Sequence, residues 1–334
     1  MITFRTITDK GLKVQDRAEK RSWIDVVDPG KDELQILERE YGVNPEHLLD
    51  IMDLDEQARF EKEDDYTLLI VRLPLLDPRG ELPYYTLPCG ILLFSDRIIT
   101  ICQQNNEVLD ELRMGRARGL DPANKSAFVL HLLGRAAIVY LRYLKDINRR
   151  TSAIEKDLQR SVKNNELTQL LSYEKSLVYF TTSLKSNEIL LEKIQAARLF
   201  RVKEDELELL EDVLTDNKQA IEMANIYSDI LAGMMDAFAS VISNNLNIVM
   251  KRLTIISICM MIPTLIVSMF GMNVKIPLEE RPDAFLLIAG LCIAGATLGG
   301  FLLGGRPAMP KFRGRARMPS ATAGAIVLPL ARRR

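Results

Sequence analysis

Seven side chains near the C-terminal end of the chain recur at steps of three and four: Asn247, Met250, Leu253, Ser257, Met261, Thr264 and Ser268. That spacing places them on one face of an α-helix, with Thr254 beside Leu253. The face mixes amide, hydroxyl and thioether groups; the other positions are mainly Ile, Val and Leu. Several copies of such a helix around an axis would present rings of these groups. Polar rings suit a hydrated cation, and apolar rings can close the path by dewetting. The same face would serve equally to hold an oligomer together, since Ser and Thr hydroxyls can bond their own helix backbone. The run ends at Phe270-Gly271-Met272-Asn273.

The elements around this face look like membrane. Residues 253–272 carry no charge and match the ~20 residues that cross ~30 Å of hydrocarbon. Ala284–Leu303 is a second uncharged run of similar length, and nothing earlier in the chain is expected to span. Two spans per chain cannot enclose an ion path, so transport would require several chains. The second span holds Gly290, Gly295, Gly299 and Gly300. These either let helices approach closely in lipid or reflect how common glycine is there. Lys251 and Arg252 precede the first span, and Arg306, Lys311, Arg313, Arg315, Arg317 and Arg332 to Arg334 follow the second. Basic residues at both outer ends place both termini in the cytoplasm of a multi-pass protein of the cell (inner) membrane.

The rest of the 334 residues is charged, although the net charge is only −1. Residues 2–7, 23–27, 59–63, 66–75, 84–94 and 98–102 read as strands. Residues 32–41 and a short segment after Asn44-Pro45 read as helices, the latter with an N-cap followed by proline at the first helical position. A mostly antiparallel sheet in an α+β domain follows, with its topology open. Three long helices are expected over 125–163, 166–200 and 204–272. At ~1.5 Å per residue the last spans on the order of 100 Å, so most of it would project as a stalk. The domain reading is 1–122 (α/β), 123–250 (long helices), 251–305 (two spans with an outer loop at 273–283) and 306–334 (basic tail).

Several function classes are disfavoured. The four cysteines have no CxxC pair, which fits reduced thiols. His47 and His131 have no Cys or His neighbours in sequence, so a zinc site built from them is not expected. No nucleophile–base pattern, paired carboxylates or GxxxxGK[ST] phosphate loop stands out, which argues against an enzyme or an ATP-driven pump. The N-terminus has no secretory pattern, and no nucleic-acid partner is expected.

Gly271-Met272-Asn273 at the outer end of the first of two C-terminal spans resembles the signature of the CorA-type magnesium and cobalt transporters. The run Asn245 to Thr254 leading into the membrane is also similar to that family. The resemblance implies a funnel-shaped homopentamer with an α+β cytoplasmic domain, long stalk helices and two transmembrane helices per chain. It implies that Asn273 forms the outer ring receiving hydrated Mg2+, with Gly271 and Met272 shaping it. Met250, Leu253 and Met261 would be apolar constrictions, and Asn247 and Thr264 polar rings. It also implies that Asp212 binds regulatory Mg2+ between subunits, with Asp64 or Asp65 as its partner. Mg2+, transported and regulatory, is the expected ion, with Co2+ and Ni2+ as further cargo. A zinc transporter of the same superfamily is the alternative, and a membrane-tethered scaffold or sensor without a pore is another. The outer loop at 277–282 and the long tail from Pro307 depart from the family pattern, and the apolar stretch at 320–330 within that tail has no role in this reading.

Overall fold

The computed structural model describes residues 1–8, 11–17, 21–115, 120–160, 164–197, 204–272 and 282–303. Their elements run β1 (Ile2–Thr8), β2 (Gly11–Gln15), β3 (Ser22–Val27), α1 (Lys31–Tyr41), α2 (Pro45–Ile51), β4 (Arg59–Lys62), β5 (Tyr66–Leu76), β6 (Tyr84–Phe94), β7 (Arg97–Cys102), α3 (Glu107–Arg113), α4 (Lys125–Arg160), α5 (Asn164–Ala197), α6 (Glu204–Phe270) and α7 (Ala284–Leu303). The chain divides into two compact units, residues 1–240 and 241–334.

In the first unit seven described strands form one sheet, ordered β2-β1-β3-β7-β6-β5-β4. The pairing is antiparallel except between β3 and β7. β5 and β6 are covered on both faces, so each reads as a nearly unbroken apolar run. Their alternate residues face opposite ways. Leu69, Val71, Leu73 and Ile91 join a core with α3, α4, α5 and the first part of α6. Leu68, Ile70 and Leu92 join a second core with α1 and α2. Gly90 is required by the second contact: a Cβ there would lie 2.2 Å from Cδ1 of Ile51 on α2.

Local signals fix the short helices. The Glu33 carboxylate accepts from Gly30 N–H (3.0 Å) at the start of α1. Gly42, at φ +68°, ends it in the left-handed conformation that glycine adopts without penalty. The Asn44 side chain caps α2 by accepting from Glu46 N–H (3.0 Å).

The structure departs from the sequence reading in places. β2 and α3 were not anticipated, and the last long helix stops earlier, at Phe270; the expected ends of the other two, at 163 and 200, lie outside the described residues. α4 is also long and apolar enough to cross a membrane, contrary to the expectation that nothing before the C-terminal pair qualifies. The most apolar stretch of α4 is 67% buried, however, so its hydrophobic face is already used. Phe128, Val139, Tyr140 and Leu144 lie in the core beneath the sheet.

One buried side chain completes the sheet. Beyond the end of β4, Asn187 of α5 pairs with the backbone of Arg72. It accepts from Arg72 N–H (2.9 Å) and donates to Arg72 C=O (2.8 Å). Tyr140 donates to the same carbonyl (3.1 Å).

Candidate functional site

In the second unit α6 runs without interruption through residues 247–268, so the seven side chains do share one face. All seven are exposed. The opposite face of α6 meets α7. Cβ atoms built at Gly295 and Gly299 would lie 2.8 Å and 2.9 Å from Ile262, and Gly300 faces Cys259. Cys292 Sγ approaches Pro263 C=O at 3.9 Å. Cys259, Ile262, Pro263 and Ile266 are correspondingly half-buried. At 3.6 residues per turn the two faces are roughly half a turn apart. The α7 glycines therefore let the helices approach closely, and the mixed polar face stays uncovered within one chain.

The hydroxyls on or beside this face are oriented by their own helix. Thr254 Oγ1 donates to Met250 C=O (2.9 Å), Ser257 Oγ to Leu253 C=O (3.0 Å) and Thr264 Oγ1 to Met260 C=O (2.8 Å). With each hydrogen turned inward, the oxygen lone pairs point away from the helix as acceptors. The water shell of a cation supplies the matching donors. Pro263, which the sequence reading passed over, lacks an N–H and so leaves the Cys259 carbonyl without its helical partner. It lies on the α7 side, away from the polar face.

α6 ends at Phe270, and Gly271 N–H still donates to Val267 C=O (2.9 Å). Gly271 and Met272 are exposed. Asn273, the outer loop through residue 281 and the tail from 304 lie outside the described residues. Asp212 is exposed on the part of α6 within the first unit. Burial, and then the Asp212 carboxylate one turn away, push the Asp216 carboxyl up from its ordinary value. Asp64 and Asp65 are exposed in the turn between β4 and β5. Among the described residues Asp212 is not clustered at metal-ligand spacing with either of them; the group found at such spacing is His47, Glu61 and Glu63. Sequence reading missed this group because it searched for Cys and His neighbours, whereas the fold supplies carboxylates.

A family described as CorA-like Mg2+ transporter protein matches residues 18–304. The chain belongs to this family. The cobalt/magnesium transport protein CorA of Methanocaldococcus jannaschii is 27% identical over 310 residues, covering 88% of this chain and 95% of the relative. The protein of the same description from Thermotoga maritima is 24% identical over 276 residues, covering 78% and 75%. The complete structure of the M. jannaschii CorA magnesium transporter superposes with a TM-score of 0.76 at 24% identity, covering 90% of this chain and 96% of that one. That likeness shows the fold: a mixed sheet, long helices and a C-terminal apolar pair. As a CorA-family member the chain is a membrane transporter of divalent cations and not an enzyme. The apolar stretches of α6 and α7 fit this, since apart from Cys292 they lie on the surface of the single chain.

Proposed function

We propose that the protein carries Mg2+, with Co2+ and Ni2+ as further cargo, into the cytoplasm through a homopentameric pore lined by α6. One observation carries the reading: the polar and methionine-bearing face of α6 is turned away from α7 and uncovered. Asn247, Ser257, Thr264 and Ser268 would form polar rings, and Met250, Leu253 and Met261 apolar constrictions. Gly271, Met272 and Asn273 would form the outer mouth. Residues 1–122, 123–250 and 306–334 would lie in the cytoplasm, with 251–305 in the inner membrane.

The chemistry favours a hydrated ion. Mg2+ sheds water reluctantly and is held through the waters it keeps. Amide and hydroxyl oxygens accept from those waters without stripping them, whereas a carboxylate ring would hold the ion tightly and slow its exit. Oxygen-rich linings favour hard cations. A membrane potential contributes ~2.3 kcal/mol per charge per 100 mV, so about twice that for a divalent cation, and inward flow needs no nucleotide.

Closure would come from cytosolic Mg2+ bound between subunits at Asp212, with Asp64 or Asp65 of a neighbouring copy. This stretch of α6 also carries Glu208, Glu211 and Asp216, so negative charge is concentrated beside Asp212. A cation bound there relieves the repulsion and tightens the ring; its loss loosens it.

The test is dye-reported Mg2+ flux into liposomes, run on the wild type and Asn273→Ala beside a mass measurement of the detergent-solubilised oligomer. We expect a pentamer, and flux that falls sharply in the variant. A monomer that passes no ion, or unchanged flux in Asn273→Ala, overturns the reading. Asp212→Ala is expected to raise the Mg2+ concentration that closes the pore; an unchanged closing concentration removes Asp212 from the sensor.

A further inference from the structure

His47, Glu61 and Glu63 come from three places in the first unit. His47 lies in the first turn of α2, Glu61 in β4, and Glu63 opens the turn into β5, where its N–H donates to Tyr66 C=O (2.9 Å). Their ligating atoms all lie within 4.8 Å of one another. His47 Nε2 is 3.1 Å from Glu61 Oε2 and 3.5 Å from Glu63 Oε1. The imidazole is buried, at 5% exposure, while the carboxylates stay open to solvent at 41% and 44%. The nitrogen ligand is thus held rigidly, and an ion has a way in.

We propose that His47, Glu61 and Glu63 form a binding site for a borderline divalent transition metal of the Zn2+, Co2+ or Ni2+ class, inside the α/β unit of a single chain. The spacing fits: with metal–ligand bonds of about 2.0–2.2 Å, tetrahedral ligand atoms stand about 3.3–3.6 Å apart. The separations of 3.1 Å and 3.5 Å need only small adjustment. Water would fill the remaining position.

The surroundings also fit. His47 Nδ1 is 2.8 Å from the Tyr66 hydroxyl, whose oxygen also accepts from Asn44 N–H (3.0 Å). A phenolic oxygen has room to accept a second hydrogen, from Nδ1–H. That tautomer leaves the Nε2 lone pair facing the carboxylates, and an outer partner of this kind orients metal-bound histidines generally. Glu61 Oε1 accepts from Arg59 Nε (2.7 Å). Arg59 does not neutralise the site, because it also pairs with Asp50 (2.7 Å) and Glu56.

The imidazole sets the selectivity. Nitrogen suits Zn2+, Co2+ and Ni2+, whereas Mg2+ prefers an all-oxygen shell. A bound metal would clip α2 to the β4–β5 hairpin. The proposal stands independently of the pore, since all three ligands lie within residues 1–240.

The test uses the full chain in detergent with excess Mg2+, which occupies all-oxygen sites. Co2+ is added while its visible d–d absorption is followed, and Zn2+ binding is measured by calorimetry. The wild type should retain about one Zn2+ per chain and show a Co2+ spectrum perturbed by nitrogen ligation. Glu63→Gln, at an exposed position that leaves Trp23 fluorescence and Mg2+ flux unchanged, should bind at least about tenfold more weakly. His47→Gln should abolish the spectrum. Binding that survives both substitutions, wild-type Zn2+ displaced by Mg2+, or no wild-type binding overturns the proposal.

Discussion

The contact between Gly90 and Ile51 yields a test in which two damaging changes should partly cancel. An alanine Cβ at position 90 would sit 2.2 Å from Ile51 Cδ1, 2.6 Å from Cγ1 and 3.3 Å from Cγ2. Ordinary carbon contacts lie at about 3.5–4.0 Å. Cδ1 can swing aside by rotation about χ2, but Cγ1 retreats only if Ile51, β-branched and fully buried, leaves its χ1 rotamer or α2 lifts from the sheet. Gly90→Ala should therefore destabilise the first unit by about 1–3 kcal/mol, the usual range for an overpacked core. The lower entropy of an unfolded chain with alanine offsets at most about 0.4–1 kcal/mol. Ile51 is fully buried, so Ile51→Ala should cost about 2–5 kcal/mol by leaving a cavity. In the double variant the clashing atoms are gone and the new methyl partly fills the space. Its loss should match Ile51→Ala alone or fall below it, a coupling of about 1–3 kcal/mol. Trp23, the only tryptophan, is buried in the sheet core and reports this unit alone during urea unfolding. Losses that add to within about 0.5 kcal/mol would refute the close approach of α2 to β6.

Asn187→Ala would orphan the buried N–H of Arg72, while Tyr140 still serves its carbonyl, so Trp23-monitored unfolding should show a loss of about 1–3 kcal/mol. Burial opposes ionisation of Asp146, but hydrogen bonds from Tyr84, Arg150 and Arg149 outweigh it and bring its pKa down to about 2. This depressed value contributes stability present above the unfolded pKa of about 3.9 and lost as pH falls toward 2, so Asp146→Asn should flatten the acid limb of a stability profile. Gly295→Leu should force α7 away from Ile262 and reduce liposome flux while leaving Trp23 fluorescence unchanged; full flux would contradict the helix contact.

Much of this was legible in the sequence because the signals are local. The Asn44 cap, the hairpin turns at Asp64-Asp65 and Ser95-Asp96 and the uncharged run Ala284–Leu303 depend on neighbours in the chain, and the structure places them as read. Other features depend on distant partners. α3 has only seven residues, too few to show a helical period, and its Asn106 cap accepts from Leu109 N–H (3.0 Å). Asn187 pairs with a residue 115 positions away. His47 meets its carboxylates only when β4 folds beside α2. The mixed polar face of α6 was legible as a periodicity, but the direction of its hydroxyl hydrogens was not. That emerges from the carbonyls each side chain reaches.

The buried but span-like character of α4 bears on how the protein is made. A ribosome delivers the chain from its N-terminus at about 5–20 residues per second. All seven strands precede α4 in that order. A greasy helix emerging into an empty tunnel mouth would be a candidate for insertion into the bilayer. Here it emerges after a surface able to receive it has been synthesised, so the order of elements along the gene favours burial of this hydrophobic helix against the sheet over its insertion.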